Sequence, residues 1–182
     1  LDREVLEPGD TAPAQARLKR PLACMRDDRF VIRSYSPVRT LGGGRVLNPA
    51  PLKHRRLREE TIEQMSRILD PDPQTLTADH IAMAGYGECS FTQLKVLTNQ
   101  TDKALDAALG SLLSNRTIIQ TERSERKFVH YSTLDDFRES VTERLSAYHR
   151  ANPLKEGMPK GELRSKFPEI KTVRLFNQLI NL

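Results

Sequence analysis

Residues 90–131 read SFTQLKVLTNQTDKALDAALGSLLSNRTIIQTERSERKFVHY, and their periodicity decides the fold. Ser90 opens a short helical stretch with Phe91, Leu94 and Leu97 at helical spacing. Thr98-Asn99-Gln100 is a turn. Thr101 stands in the N-cap position of a longer amphipathic helix, whose Leu105, Ala108, Leu109 and Leu112 share one face. Asn115 is placed to end that helix in a left-handed conformation. Residues 117–121 and 127–131 are two strand-like runs around the polar turn 122–126.

Upstream, Thr77 is the candidate cap of a helix with His80, Ile81 and Ala84 on one side, closed by Gly85-Tyr86-Gly87. Before it, residues 58–69 place Ile62, Met65 and Leu69 at helical spacing and stop at Asp70-Pro71-Asp72-Pro73. Helix, short helix, turn, helix, hairpin is the order of a winged-helix module. Leu94, Leu97, Leu105 and Leu109 are its expected interior. Ile118, Ile119, Phe128 and Val129 of the hairpin are expected to close the open side, because none of these pieces buries its apolar face alone.

Downstream the scheme repeats as a pattern. Residues 134–148 form a long helix with Phe137, Val141, Leu145 and Tyr148, ended by Asn152-Pro153. Pro159 opens a short helix with Leu163 and Phe167, and Pro168 closes it. Residues 172–182 start a third helix with Val173, Phe176, Leu179 and Ile180 facing inward. No wing hairpin follows, so this second module is expected to be truncated.

Residues 1–57 read differently. Pro8-Gly9-Asp10 is a turn signal, and Ala14-Gln15-Ala16-Arg17-Leu18 alternates as a half-buried strand does. Residues 29–33 are a β-branched run, broken by Ser36-Pro37. Residues 40–47 are a second run, with Gly42-Gly43-Gly44 marking a bulge or a close backbone approach. So few short strands do not close a barrel, and further strands are expected upstream. The fold class is therefore mainly α with β: a partial β-barrel segment (1–57), a winged-helix module (58–133) and a second, truncated one (134–182).

Composition agrees. The chain has 182 residues, 37% hydrophobic and 29% charged, with a net charge of +5. Residues 1–58 hold 13 Lys/Arg against 6 Asp/Glu, a net of +7. Residues 59–133 hold 7 against 11 (−4), and residues 134–182 hold 9 against 7 (+2). The sign change near residue 58 coincides with the change of pattern. No run of apolar residues is long enough for a transmembrane helix, and no signal pattern opens the chain. The 5% aromatic share without Trp leaves little material for a base-stacking platform. Cys24 and Cys89 are far apart, with no CxxC or Cys/His cluster, so free thiols are expected. A start on Leu1 and an end inside a helix suggest a piece cut at both ends.

No phosphate-cradling Gly-x-x-x-x-Gly-Lys-Ser/Thr loop occurs. His54, His80, His130 and His149 fall in four separate elements without ligand-spaced partners. Paired carboxylates such as Glu59-Glu60, Asp27-Asp28 and Asp135-Asp136 sit where they favour a helix dipole or solvate a turn. No catalytic, cofactor-binding or metal-binding residues are therefore expected. What remains is electrostatic. Lys53, Arg55 and Arg56, with Arg39 and Arg45, either form a phosphate-binding surface or are a solvated linker pairing with Glu59, Glu60 and Glu63. The first module is acidic and suits a spacer or protein contact better than a duplex. The second presents Lys155, Lys160, Arg164, Lys166, Lys171 and Arg174, a more credible RNA face.

Asp28-Arg29-Phe30-Val31-Ile32-Arg33, Ser36-Pro37 and the run from Thr40 to Pro49 together resemble the end of the third, elongation-factor-Tu-like β-barrel domain of the bacterial selenocysteine-specific translation elongation factor family, SelB. Lys53-His54-Arg55-Arg56 looks like the exit from that barrel. Pro153-Leu154-Lys155-Glu156-Gly157-Met158-Pro159-Lys160-Gly161-Glu162-Leu163-Arg164 looks like the start of the family's second winged-helix module. The resemblance implies a parent GTPase that uses GTP and Mg and delivers selenocysteinyl-tRNA to the ribosome. It recodes UGA by holding a hairpin of selenoprotein mRNA through its last winged-helix module. This chain would be the arm between the tRNA-binding body and that tip, itself without cofactor and cytoplasmic. Arg29, Arg39 or Arg45 would then border the tRNA surface. Two rival readings remain, a winged-helix DNA-binding transcription regulator and a purely structural interaction module.

Overall fold

The computed structural model describes residues 5–51, 62–63, 69 and 71–182. The helix expected over 58–69 lies mostly outside the described residues. The elements are strands β1 (Arg29–Arg33) and β2 (Thr40–Arg45), helix α1 (Pro73–Ala84) with a 3₁₀ turn (Gly85–Gly87), strand β3 (Cys89–Ser90), helices α2 (Phe91–Thr98) and α3 (Asp102–Ser114), strands β4 (Ile118–Glu122) and β5 (Lys127–His130), and helices α4 (Tyr131–Ala151), α5 (Lys160–Ser165) and α6 (Val173–Asn181). They group in space into two compact units, Leu1–Asp79 with Thr92–Ala107, and His80–Phe91 with Ala108–Leu182. This grouping is by proximity, whereas the division at 58 and 133 is one of sequence pattern.

In the first unit, β1 and β2 form an antiparallel ribbon with Arg29 opposite Arg45, Phe30 opposite Gly44, Val31 opposite Gly43 and Ile32 opposite Gly42. A bulge follows between Ile32 and Arg33. The glycines permit the expected close approach. A Cβ on Gly43 would lie 2.5 Å from the Phe30 carbonyl oxygen, and one on Gly44 would strike the Phe30 ring at 2.8 Å. All residues of both strands are exposed. The strand expected at residues 14–18 is not one: the segment joins no ladder among the described residues. Alternation alone does not make a strand where no neighbour offers its backbone.

α1 starts earlier than Thr77 suggests. Asp72 is the cap, its Oδ1 accepting from the backbone N–H of Gln74 (2.9 Å) and Thr75 (3.1 Å). Pro73 fills the first helical position, where a missing N–H is harmless. Thr77 is buried inside the helix and donates its hydroxyl to the Pro73 carbonyl at 2.8 Å. Gln100, in the turn before α3, donates from Nε2 to that same carbonyl (3.0 Å) and to Thr77 Oγ1 (2.9 Å). Asn99 turns the chain with φ of 53° and donates to the carbonyl of Arg26 at 3.1 Å. Thr101 caps α3 as expected, accepting from the Ala104 N–H at 3.3 Å.

In the second unit, the sheet order is β3-β5-β4, all antiparallel, with Ile119 opposite Val129. α3 ends with Arg116, not Asn115, in the left-handed region at φ of 54°. The Asn115 N–H still closes a helical bond to Ser111, so the chain reverses one residue later. α4 begins three residues before Leu134, because the His130 ring accepts from the Ser132 N–H at 3.2 Å and caps it. The core joins Val129, Leu134, Phe137, Leu163, Phe167, Ile170, Leu175, Phe176 and Leu179. Phe137 lies 4.9 Å from Phe167 with the two rings tilted, and edge-on at 5.9 Å from Phe176, the latter a T-shaped arrangement that aromatic quadrupoles favour. Thr172 caps α6 by accepting from the Leu175 N–H. Leu175 is buried where Val173 was expected, and Val173 is exposed. Val173 occupies the first turn, ahead of the point where the helix meets the core.

Candidate nucleic-acid interface

The expected cations fall into three groups. In the ribbon, Arg29 and Arg45 face each other across the strands, a like-charge pair that is unfavourable unless one partner is compensated. Arg45 is compensated. Its Nη1 lies 3.3 Å from Asp27 Oδ1, and its Nη2 donates to the Leu69 carbonyl at 2.8 Å. Arg29 is exposed and makes no such pair among the described residues. Arg39 uses its backbone to hold the turn, with its carbonyl accepting from the Ser34 N–H at 2.9 Å. The alternation of the strands puts Arg29 and Arg33 on one side of β1 and Phe30 and Ile32 on the other. Lys53, Arg55 and Arg56 lie outside the described residues.

The second group is on and after α5. Lys160, Lys166 and Lys171 are exposed, and Arg164 is half-buried. None of the four makes an ion pair among the described residues. Arg164 and Lys171 line one open depression of about 360 Å³, together with Gly161, Ser165, Phe167, Pro168 and Ile170. No carboxylate lines it.

Arg174 forms the third group alone, and it points inward. Its Nη2 donates to both carboxylate oxygens of Glu88, at 2.8 and 3.0 Å. Its Nη1 donates to the Thr121 carbonyl, and its Nε lies 3.5 Å from Glu122 Oε2. The Glu88 side chain is only 8% exposed and also accepts from the Thr121 hydroxyl. A single guanidinium nitrogen is thus shared between both carboxylate oxygens, in charge-assisted hydrogen bonds stronger than neutral ones. The Ser124 backbone N–H, then the Ser124 hydroxyl, hold the Glu122 carboxyl below its ordinary range, with Arg174 adding to the effect. The structure thus brings Arg164 and Lys171 together and removes Arg174 from the group. Glu88, Thr121 and Glu122 were not expected to matter. Nothing in the spacing of residues 88, 121 and 174 signals that they meet.

Burial pushes the Cys89 thiol up to about 12, which keeps it from acting as a nucleophile. Among the described residues no group of three metal-ligating side chains forms, and no helix is long and apolar enough to cross a membrane.

Residues 4–53 match the family model described as "Selenocysteine-specific elongation factor, beta-barrel domain". Residues 142–182 match the one described as "Elongation factor SelB, winged helix". The chain is similar to a selenocysteine-specific elongation factor of Desulfomicrobium baculatum, 35% identical over 167 residues, which is 92% of this chain. It spans 26% of the length of that relative.

Proposed function

The chain belongs to the selenocysteine-specific elongation factor family, and on that premise we propose that it is the arm of such a factor. In this reading the parent protein is a cytoplasmic GTPase using GTP and Mg. It delivers selenocysteinyl-tRNA to the ribosome and recodes UGA with the help of a hairpin in the mRNA. Residues 1–57 end the barrel that helps hold the tRNA, 58–133 form a first winged-helix module, and 134–182 belong to a second. The arm carries force and geometry between the tRNA end and the mRNA end, and has no catalytic residues of its own.

One observation carries the reading. A barrel-end segment and a winged-helix segment of one family occur in one chain, and a single relative aligns across both. The packing of the described residues suits a mechanical role: a phenylalanine-centred core in one unit and a hydrogen-bonded turn anchored to Arg26 in the other. Exposed Arg29 and Arg39 support tRNA proximity at the barrel end, while Arg45 is held by Asp27 and the Leu69 carbonyl.

The test is a chimera. The matching quarter of the Desulfomicrobium factor is replaced by this chain, and selenocysteine incorporation is measured at a UGA reporter. Retained recoding is the expected result. Loss of recoding by a chimera that still binds GTP and aminoacylated tRNA would overturn the reading.

A further inference from the structure

Winged-helix modules ordinarily present their third helix to nucleic acid. In the module of residues 134–182 that helix is α6. Its residues are Val-Arg-Leu-Phe-Asn-Gln-Leu-Ile-Asn, and Arg174 is the single cation among them. Arg174 is committed to Glu88, Glu122 and the Thr121 carbonyl. Leu175, Phe176 and Leu179 are buried in the core. α6 therefore has no free positive charge with which to hold a phosphate.

In the stretch just before α6 the situation is reversed. Between Lys160 and Lys171 stand four cations, Lys160, Arg164, Lys166 and Lys171, against two acids, Glu162 and Glu169. None of the four cations is paired among the described residues. Arg164 and Lys171 converge on the depression of about 360 Å³. The hydroxyl of Ser165, which also lines it, is donated to the Glu162 carbonyl at 2.7 Å. Gly161 there contributes no side chain, so a bulky anion meets an open wall. Cations at the end of a helix also offset its dipole, which accounts for Arg164 and Lys166. It does not account for Lys171, which lies beyond the helix and faces the same hollow.

We propose that the second module binds RNA through the phosphates of its backbone, seated in the Arg164–Lys171 depression beside α5, and that α6 is a packing helix rather than a reading helix. The commitment to RNA rests on the function proposed above. The phosphate chemistry rests on the two unpaired cations and the absence of a carboxylate at the hollow. Binding of this kind is independent of base sequence, because contacts to phosphates carry no sequence information.

The experiment uses the 182-residue chain and fluorescein-labelled RNA duplexes, one GC-rich and one AU-rich, with anisotropy read across a salt series. The double variant Arg164→Ala/Lys171→Ala is expected to weaken binding to both duplexes alike. It should reduce the slope of log K against log salt by about 2, one unit per lost phosphate contact. Arg123→Ala, a change of the same sign in the exposed β4–β5 turn, is expected to leave the slope unchanged. Asn177→Glu, which adds a negative charge to α6, should do the same. An unchanged slope in the double variant overturns the proposal. So does a loss with Arg123→Ala equal to that of either cation alone, or a marked weakening by Asn177→Glu. The chimera separates the two readings. Recoding with an unaltered salt slope defeats only the depression, and failed recoding with the slope lost as expected defeats only the arm.

Discussion

The β1–β2 ribbon and the β3-β5-β4 sheet are both small antiparallel assemblies, yet they differ in what surrounds them. No residue of the ribbon is buried. In the second sheet Cys89, Ile118, Thr121, Phe128 and Val129 are buried. A ladder of hydrogen bonds fixes which residue faces which, but the stability of a sheet comes from the layer packed on it. Among the described residues the ribbon has register without a layer, and the sheet has both.

The largest effect that sharpens this contrast is in the phenylalanine core. Phe176→Ala removes a fully buried ring packed on Phe137 and Phe167 and is expected to cost about 3–5 kcal/mol. Phe30→Ala, in the ribbon, removes a ring already 42% exposed and is expected to cost less than about 1 kcal/mol. Urea denaturation followed by far-UV circular dichroism measures both. The contrast fails if the two variants lose comparable stability.

Ion pairs give the next contrast. Arg174→Met strands the carboxylate of Glu88, which is 8% exposed. The loss is expected to be about 2–3 kcal/mol, below the usual range for a buried pair because Arg174 itself is 39% exposed. Arg45→Met breaks a pair whose two side chains are 45% and 43% exposed, and it should cost less than about 1 kcal/mol. Glu122 adds a pH signature to the same cluster. Its folded pKa lies below the ordinary value of 4.5, so it stabilises the fold above that pH. The contribution is lost as the pH falls through the lowered value. Thermal melts between pH 3 and 6 should show a decline that Glu122→Gln reduces.

The legible part of the fold is the part written in local pattern. The helices, the hairpin around residues 122–126 and the close approach at Gly43 all follow from spacing and turn chemistry. The errors arose where two local signals compete. Thr77 looks like a cap, but Asp72 followed by Pro73 is the better one, and a threonine inside a helix satisfies its hydroxyl on the carbonyl one turn back. Val173 fits the inward period until Thr172 fixes where the helix starts, which hands the core position to Leu175. The candidate site was legible as a list of cations but not as a division among them. Arg174 meets Glu88 across 86 positions, a distance over which no periodicity operates. Only the fold separates the engaged arginine from the unpaired Arg164 and Lys171.

The smallest effect expected concerns the two thiols, one in each unit. Cys24 is partly accessible, and Cys89 is buried in β3 against β5. The difference between them at neutral pH is one of accessibility and so of reactivity. Cys24 should react with an aromatic disulfide reagent at pH 8, and Cys89 should react only at the rate of unfolding. The linkage has a definite sign. The folded pKa of Cys89 stands at about 12 against an ordinary 9.0, so its neutral form is favoured in the fold. That stabilisation is complete below pH 9 and is lost as the pH climbs towards 12. Cys89→Ala should flatten the alkaline decline in stability. Equal, rapid labelling of both thiols would mean that the β3–β5 edge opens as readily as the ribbon end, and the contrast between the two regions would be gone.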